Sequence, residues 1–128
     1  MGRLRPRPTD SELAILRILW ARGPSTVRQV HEALADTRDT GYTTTLKLMQ
    51  IMADKGLVTR DESSRTHVYA TLATEQQTQR QLVKDLVDRA FGGSAAALVL
   101  QALNAEGATA AELKEIRKLI DDYREKRS

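Results

Sequence analysis

The chain has 128 residues, 41% of them hydrophobic and 29% charged, enough for one domain of ordinary size or a small domain with an appendage. It has no cysteine, which excludes disulfides, thiol catalysis and thiolate metal sites, and no apolar run near the ~20 residues of a membrane span. The net charge of +3 lies wholly in the first half: residues 1–70 carry eleven Lys/Arg against eight Asp/Glu, and residues 71–128 carry nine of each.

Part of that excess is Arg3, Arg5 and Arg7, which on one reading are a solvated, disordered tail. The opening MGRLRPRPTD is charged and lacks an apolar h-region, so no secretory signal is expected and a cytoplasmic location is. Thr9-Asp10-Ser11-Glu12 has the form of a capping box. Leu13, Leu16, Leu19 and Trp20 follow at helical spacing, with Ile15 and Ile18 widening the stripe. Gly23-Pro24 stops this first helix near Ala21. Ser25 or Thr26 can cap a second helix with Val27, Val30 and Leu34 on one face. Asp36 to Gly41 is polar and turn-like.

A third helix is predicted from about Thr43 to Lys55. On a wheel of about 100° per residue, Thr45, Leu48, Met49 and Met52 form its core face. Thr43, Lys47, Gln50 and Asp54 fall opposite, with Thr44 and Ile51 on the flank. Gly56 ends the helix as a C′ glycine. Leu57 to Arg60 and His67 to Thr71 are β-rich around the polar Asp61 to Thr66, which predicts a hairpin. Three helices and a hairpin make a winged helix-turn-helix over residues 1–72.

Residues 73–128 read as helical. Thr74 with Gln77 caps a helix bearing Leu82, Val83, Leu86, Val87, Ala90 and Phe91, and Gly92-Gly93 breaks it. Ser94 starts a short helix, Ala95 to Leu103, that is apolar almost all round. Thr109 with Glu112 forms another capping box before a last helix with Leu113, Ile116, Leu119, Ile120 and Tyr123. So much apolar surface on ~55 residues needs cover. A second copy of the chain supplies it most simply, through Leu86, Phe91, Leu98, Val99, Leu100, Leu103, Ile116 and Ile120. The alternative is that these helices fold back on their own N-terminal domain. The fold class is thus mainly α with a small β-hairpin: a winged-helix domain plus a helical dimerisation domain.

Chemistry for catalysis is sparse. His31 on a helix and His67 on a strand have no evident co-ligands, so no metal site is expected. No glycine-rich phosphate loop follows a strand. Ser63 and Ser64 sit at a hairpin tip with no base nearby in sequence. The acidic residues pair with Lys/Arg at helical spacings and read as solvated surface. The sequence predicts a protein that is not an enzyme and needs no cofactor.

It does point to double-stranded DNA. The second helix of a helix-turn-helix enters the major groove N-terminus first, with free backbone N–H groups in its first turn. Thr43 and Thr44 can donate to a phosphate and set a methyl against thymine; plain N-capping is the other reading. Lys47, one turn along, reaches guanine or a phosphate, and Gln50 reaches adenine. Arg65 at the wing tip suits a phosphate or the minor groove, or is an ordinary loop arginine.

The blocks ELAILRILWARGPSTVRQVHEAL, GYTTTLKLMQIMADKGLVTR, RTHVYATL and FGGSAAALVLQAL resemble the bacterial penicillinase-repressor family over roughly Thr9 to Tyr123. The resemblance implies a winged-helix domain, a C-terminal dimerisation domain and a dyad operator. It also implies release of repression when a membrane-bound sensor protease system triggers C-terminal cleavage. Three features depart from it. Many members carry arginine where this chain has Ile51. The cysteines of a copper-responsive branch are absent. The Asn–Phe bond cut in β-lactam-responsive members corresponds to Gln101–Ala102 here, so cleavage by a β-lactam sensor does not follow from the resemblance. A dimeric repressor is the leading reading; a winged-helix protein-interaction module and a small-molecule-sensing repressor stand beside it.

Overall fold

The computed structural model describes residues 6–127, so Arg3 and Arg5 lie outside the described residues. Six helices and three short strands follow in the order α1 (Asp10–Arg22), β1 (Ser25–Thr26), α2 (Val27–Ala35), α3 (Tyr42–Lys55), β2 (Val58–Asp61), β3 (Val68–Thr71), α4 (Glu75–Ala90), α5 (Ala95–Glu106) and α6 (Ala110–Arg127). The chain forms two compact units, residues 1–82 and 83–128.

In the first unit each helix start is written locally. The Thr9 hydroxyl accepts from Glu12 N–H and the Glu12 carboxylate accepts from Thr9 N–H, which satisfies two otherwise unpaired donors. Thr26 and Gln29 repeat the device for α2. The stripe of α1 is centred on Ile15, Leu16 and Leu19, while Leu13, Ile18 and Trp20 are only partly buried. With Val27, Val30, Leu34, Met49, Met52, Val58 and Tyr69 they form one core.

The predicted hairpin is a three-stranded antiparallel sheet in the order β1-β3-β2. The additional strand is two residues long, pairing Ser25 with Tyr69 and Thr26 with Val68. Ser25 is therefore a buried strand residue, and Thr26 alone caps α2. His67 lies just before β3 rather than in it. Gly56 stands at φ +85°, a left-handed conformation that side chains disfavour. Its N–H bonds Ala53 O while Leu57 N–H bonds Met52 O, a Schellman closure that turns the chain straight into β2. Trp20 Nε1–H donates to Ala73 O at 3.0 Å and ties α1 to the segment after the sheet.

One acidic residue corrects the expectation of a solvated acidic surface. Glu12 is 2% exposed, and its carboxylate takes the Lys55 ammonium at 2.7 Å. Burial pushes its pKa up, but the hydrogen bonds from Lys55 and Thr9 and the charge of Lys55 outweigh that, and the net shift is downward.

The second unit holds the end of α4, α5 and α6. Thr74 and Gln77 make the expected capping box at the start of α4, within the first unit. Gly92 and Gly93 both have positive φ and end α4. The Ser94 hydroxyl accepts from Ala97 N–H to open α5, which runs on to Glu106, a turn beyond the expected Leu103. The Thr109 hydroxyl accepts from Glu112 N–H at the start of α6. Lys84 and Asp88 pair at i, i+4, as the charge spacing predicts. No residue from 83 to 127 is buried. No single helix among the described residues is long and apolar enough to cross a membrane.

Candidate nucleic-acid interface

The inner face of α3 is closed by Thr45, Met49 and Met52, all fully buried. Thr45 is the polar member of that set. Its hydroxyl donates to Gly41 O at 3.3 Å, and His31 Nδ1 of α2 lies 3.3 Å from the same oxygen. With the hydroxyl proton spent on Gly41, the oxygen is left to accept, which requires the Nδ1–H tautomer of His31. This hydroxyl thus holds the turn of the helix-turn-helix to its first helix.

The three threonines of the third helix divide in an unexpected way. None of them caps it. The N-cap is Gly41, which has no side chain to offer, so the first N–H groups of α3 are left open. Thr43 and Thr44 are exposed, as are Lys47, Gln50, Ile51 and Asp54. Thr43, Thr44, Lys47, Gln50 and Arg65 make no hydrogen bond or ion pair with other described side chains.

Beside α3 lies an open cleft of about 470 Å³, lined by Arg28, Tyr42, Gln50, Arg60, Arg65 and His67 among others. The structure brings Gln50 and Arg65 together here, whereas Thr43, Thr44 and Lys47 lie outside the cleft lining. Arg28, Tyr42, Arg60 and His67 were not singled out by the sequence reading as site residues. Arg28 follows the first residue of α2, and its guanidinium stands 5.7 Å from the Tyr42 ring centroid. The His31 ring meets Tyr42 edge-on at 5.6 Å. Arg60 pairs with Glu62 at 2.9 Å; Tyr69 and Glu62 together raise its pKa above the ordinary value.

The wing tip has its own brace. Asp61 Oδ1 accepts from Ser63 N–H at 2.9 Å, which also draws the Asp61 pKa down, and the Ser64 hydroxyl donates to Thr66 O. That brace leaves Arg65 projecting. Glu62 holds Arg60 and stands 4.0 Å from His67. Among the described residues, Lys47 and Arg65 thus have no ion-pair partner, and Arg28 has only its contact with the Tyr42 ring. No His/Cys/Asp/Glu group among the described residues is arranged to hold a metal ion.

A helix-turn-helix followed by a short sheet with an arginine-bearing loop defines a winged helix, the class used by many transcriptional regulators. The chain belongs to the penicillinase repressor family, whose model matches residues 8–122. It is 41% identical over 93 residues to the transcriptional regulator BlaI of Mycobacterium tuberculosis, covering 70% of this chain and 67% of that one. It is 20% identical over 113 residues to the methicillin resistance regulatory protein MecI of Mammaliicoccus sciuri, covering 88% and 92%. The fold is shared with Bacillus licheniformis BlaI, solved in a monomeric form in complex with the blaP half-operator: TM-score 0.51, 20% identity, 59% of this chain and 92% of that one.

Proposed function

We propose that the protein is a cytoplasmic, dimeric transcriptional repressor that occupies a dyad operator in double-stranded DNA. Residues 1–72 form its DNA-binding domain and residues 73–128 its dimerisation domain. The observation that carries this reading is the outer face of α3, where Thr43, Thr44, Lys47 and Gln50 have no hydrogen-bond or ion-pair partner among the described side chains while the inner face is fully engaged in the core. The complex of B. licheniformis BlaI with a half-operator supports the choice of DNA as the partner.

In this reading α3 enters the major groove. Its uncapped first turn takes a phosphate, since free N–H groups and the helix dipole favour an anion there. Thr43 and Thr44 add hydroxyl donors to the same turn. Lys47 reaches guanine O6/N7 or a phosphate, and Gln50 reaches adenine. Arg65 carries the wing to the backbone. Lys47→Ala should weaken binding to the preferred operator by about 1–3 kcal/mol and leave the unfolding curve unchanged. An unchanged operator affinity in a fluorescence titration removes Lys47 from the interface. Arg65→Ala should weaken binding equally on operator and random duplex, and lower the slope of log K against log salt by roughly one unit. A loss confined to the operator would instead mean that the wing reads bases.

The dimer rests on the second unit. Leu86, Phe91, Leu98, Val99, Leu100, Leu103, Ile116 and Ile120 all lie there, and none of them is buried in the single chain. A second copy covers them and sets two α3 helices on two half-sites, which blocks transcription by occupancy. Release comes from a signal that ends dimerisation. Cleavage between Gln101 and Ala102 by a membrane-bound sensor protease system is one such signal. Both residues are exposed in the middle of α5, so the helix must unwind locally before the bond can be cut. A salt-dependent mobility shift on genomic fragments tests the whole reading. Absence of any salt-sensitive DNA complex overturns it in favour of a protein-binding winged helix.

A further inference from the structure

We propose that Ile51 is a specificity residue that reads the C5-methyl group of a thymine in the major groove. The proposal rests on the DNA-binding reading above and adds a base preference to it.

Ile51 is 47% exposed, the one aliphatic residue among the exposed positions of α3. It belongs neither to the buried core nor to the partly buried shell that packs against it, which on this helix consists of Leu46, Leu48 and Ala53. Nor does it serve the helix, because a β-branched side chain is a slightly poorer helix former than the straight-chain residues around it. Its place on the helix is more informative. Thr44, Lys47 and Ile51 recur at i, i+3 and i+7, so they form one outward stripe within about 60° of arc. A rise of ~1.5 Å per residue sets Ile51 about 10 Å beyond Thr44, roughly three base steps at ~3.4 Å each. In the homeodomain version of the motif, mid-helix positions are the ones that contact bases.

The chemistry of this position selects its target. An isoleucine has no donor or acceptor, so it cannot distinguish guanine, cytosine or adenine by hydrogen bonding. The thymine methyl is the one apolar group displayed on a base edge of the major groove. Setting the two against each other removes both from water. A phosphate or an exocyclic amine against the same side chain would lose hydration and find no partner.

The test needs the operator, which the full-length chain can select from a pool of random duplexes. Each thymine of the selected half-site is then replaced by deoxyuridine, which deletes the methyl alone. One thymine per half-site should lose about three- to fivefold in affinity on this swap, the effect of one buried methyl. The Ile51→Ala protein should be indifferent to that swap and remain sensitive to changes at other positions. Ile51→Val should keep the coupling. Because Ile51 lies outside the core, Ile51→Ala should unfold at the wild-type midpoint. The proposal is overturned if no thymine couples to Ile51→Ala, or if the selected half-sites contain no thymine opposite the stripe. If the chain enriches no sequence at all, the DNA-binding reading itself fails.

Discussion

Leu100→Glu should convert the protein to monomers in sedimentation while the winged-helix unit stays folded. Leu100 is 56% exposed in the single chain, and its neighbours Leu98, Val99 and Leu103 give α5 almost no polar face. Burying a leucine is worth roughly 1.5–3 kcal/mol, and truncating a buried one costs roughly 2–5 kcal/mol. A glutamate at the same place costs more, because a buried carboxylate with no partner must be desolvated or protonated. The first unit has its own closed core, from Ile15 to Tyr69, and draws on none of these residues. Its circular dichroism and thermal transition should therefore survive. Operator affinity should fall steeply, since a monomer engages one half-site and forfeits the effective concentration that joins two. A Leu100→Glu protein that stays dimeric and binds operator normally refutes the interface and the release mechanism together.

Lys55→Met should destabilise the first unit by about 3 kcal/mol at neutral pH, the lower end of the range for unpairing a buried ion pair, because Lys55 itself is one-third exposed. The pH dependence identifies the cause. In the native protein the folded-state pKa of Glu12 is depressed, so its contribution is present above the unfolded value of about 4.3 and is lost as pH falls through the lower folded value. Without Lys55, its hydrogen bond and charge no longer hold the pKa down, and the folded pKa of Glu12 moves up from its native position in the direction that burial favours. The gap between the two proteins is then full above that raised folded value and closes as pH falls through the lower folded value of the native protein. Urea unfolding from pH 7 to pH 3 should show the two proteins converging. A gap that does not change with pH would assign the loss to the lysine's aliphatic stem instead of the buried charge. Replacing Glu12 by Leu as well should recover much of the loss.

These two cases show which parts of the molecule a sequence makes legible. Helix ends were readable because their determinants are local. Thr9 with Glu12, Thr26 with Gln29 and Thr74 with Gln77 sit three residues apart, and each pair makes the bonds its spacing implies. The inward face of α3 was readable for the same reason, through periodicity. Glu12 was half-readable: its local bond to Thr9 is a motif, while its partner Lys55 lies 43 residues away with no pattern to announce it. The strand Ser25–Thr26 is too short for any alternation and exists only because β3 is there to pair with it. The basic cleft was missed for a related reason. Arg28, Arg60 and His67 come from three elements, and only the sheet brings them to one side. The run of threonines misled in one respect, since capping ability is a property of residue type but the cap position falls on Gly41.

The two-sided character of α3 also bears on how such a regulator changes over evolutionary time. Thr45, Met49 and Met52 hold the helix in place, while Thr43, Thr44, Lys47, Gln50 and Ile51 share no core contact with them. Free energies of substitutions at sites without shared partners add nearly independently. Surface changes away from packing features usually stay within about 0.5 kcal/mol of neutral. Mutations that redirect the protein to a different gene therefore draw little on its folding stability, and a duplicated copy can drift to a new target one residue at a time without passing through an unfolded ancestor.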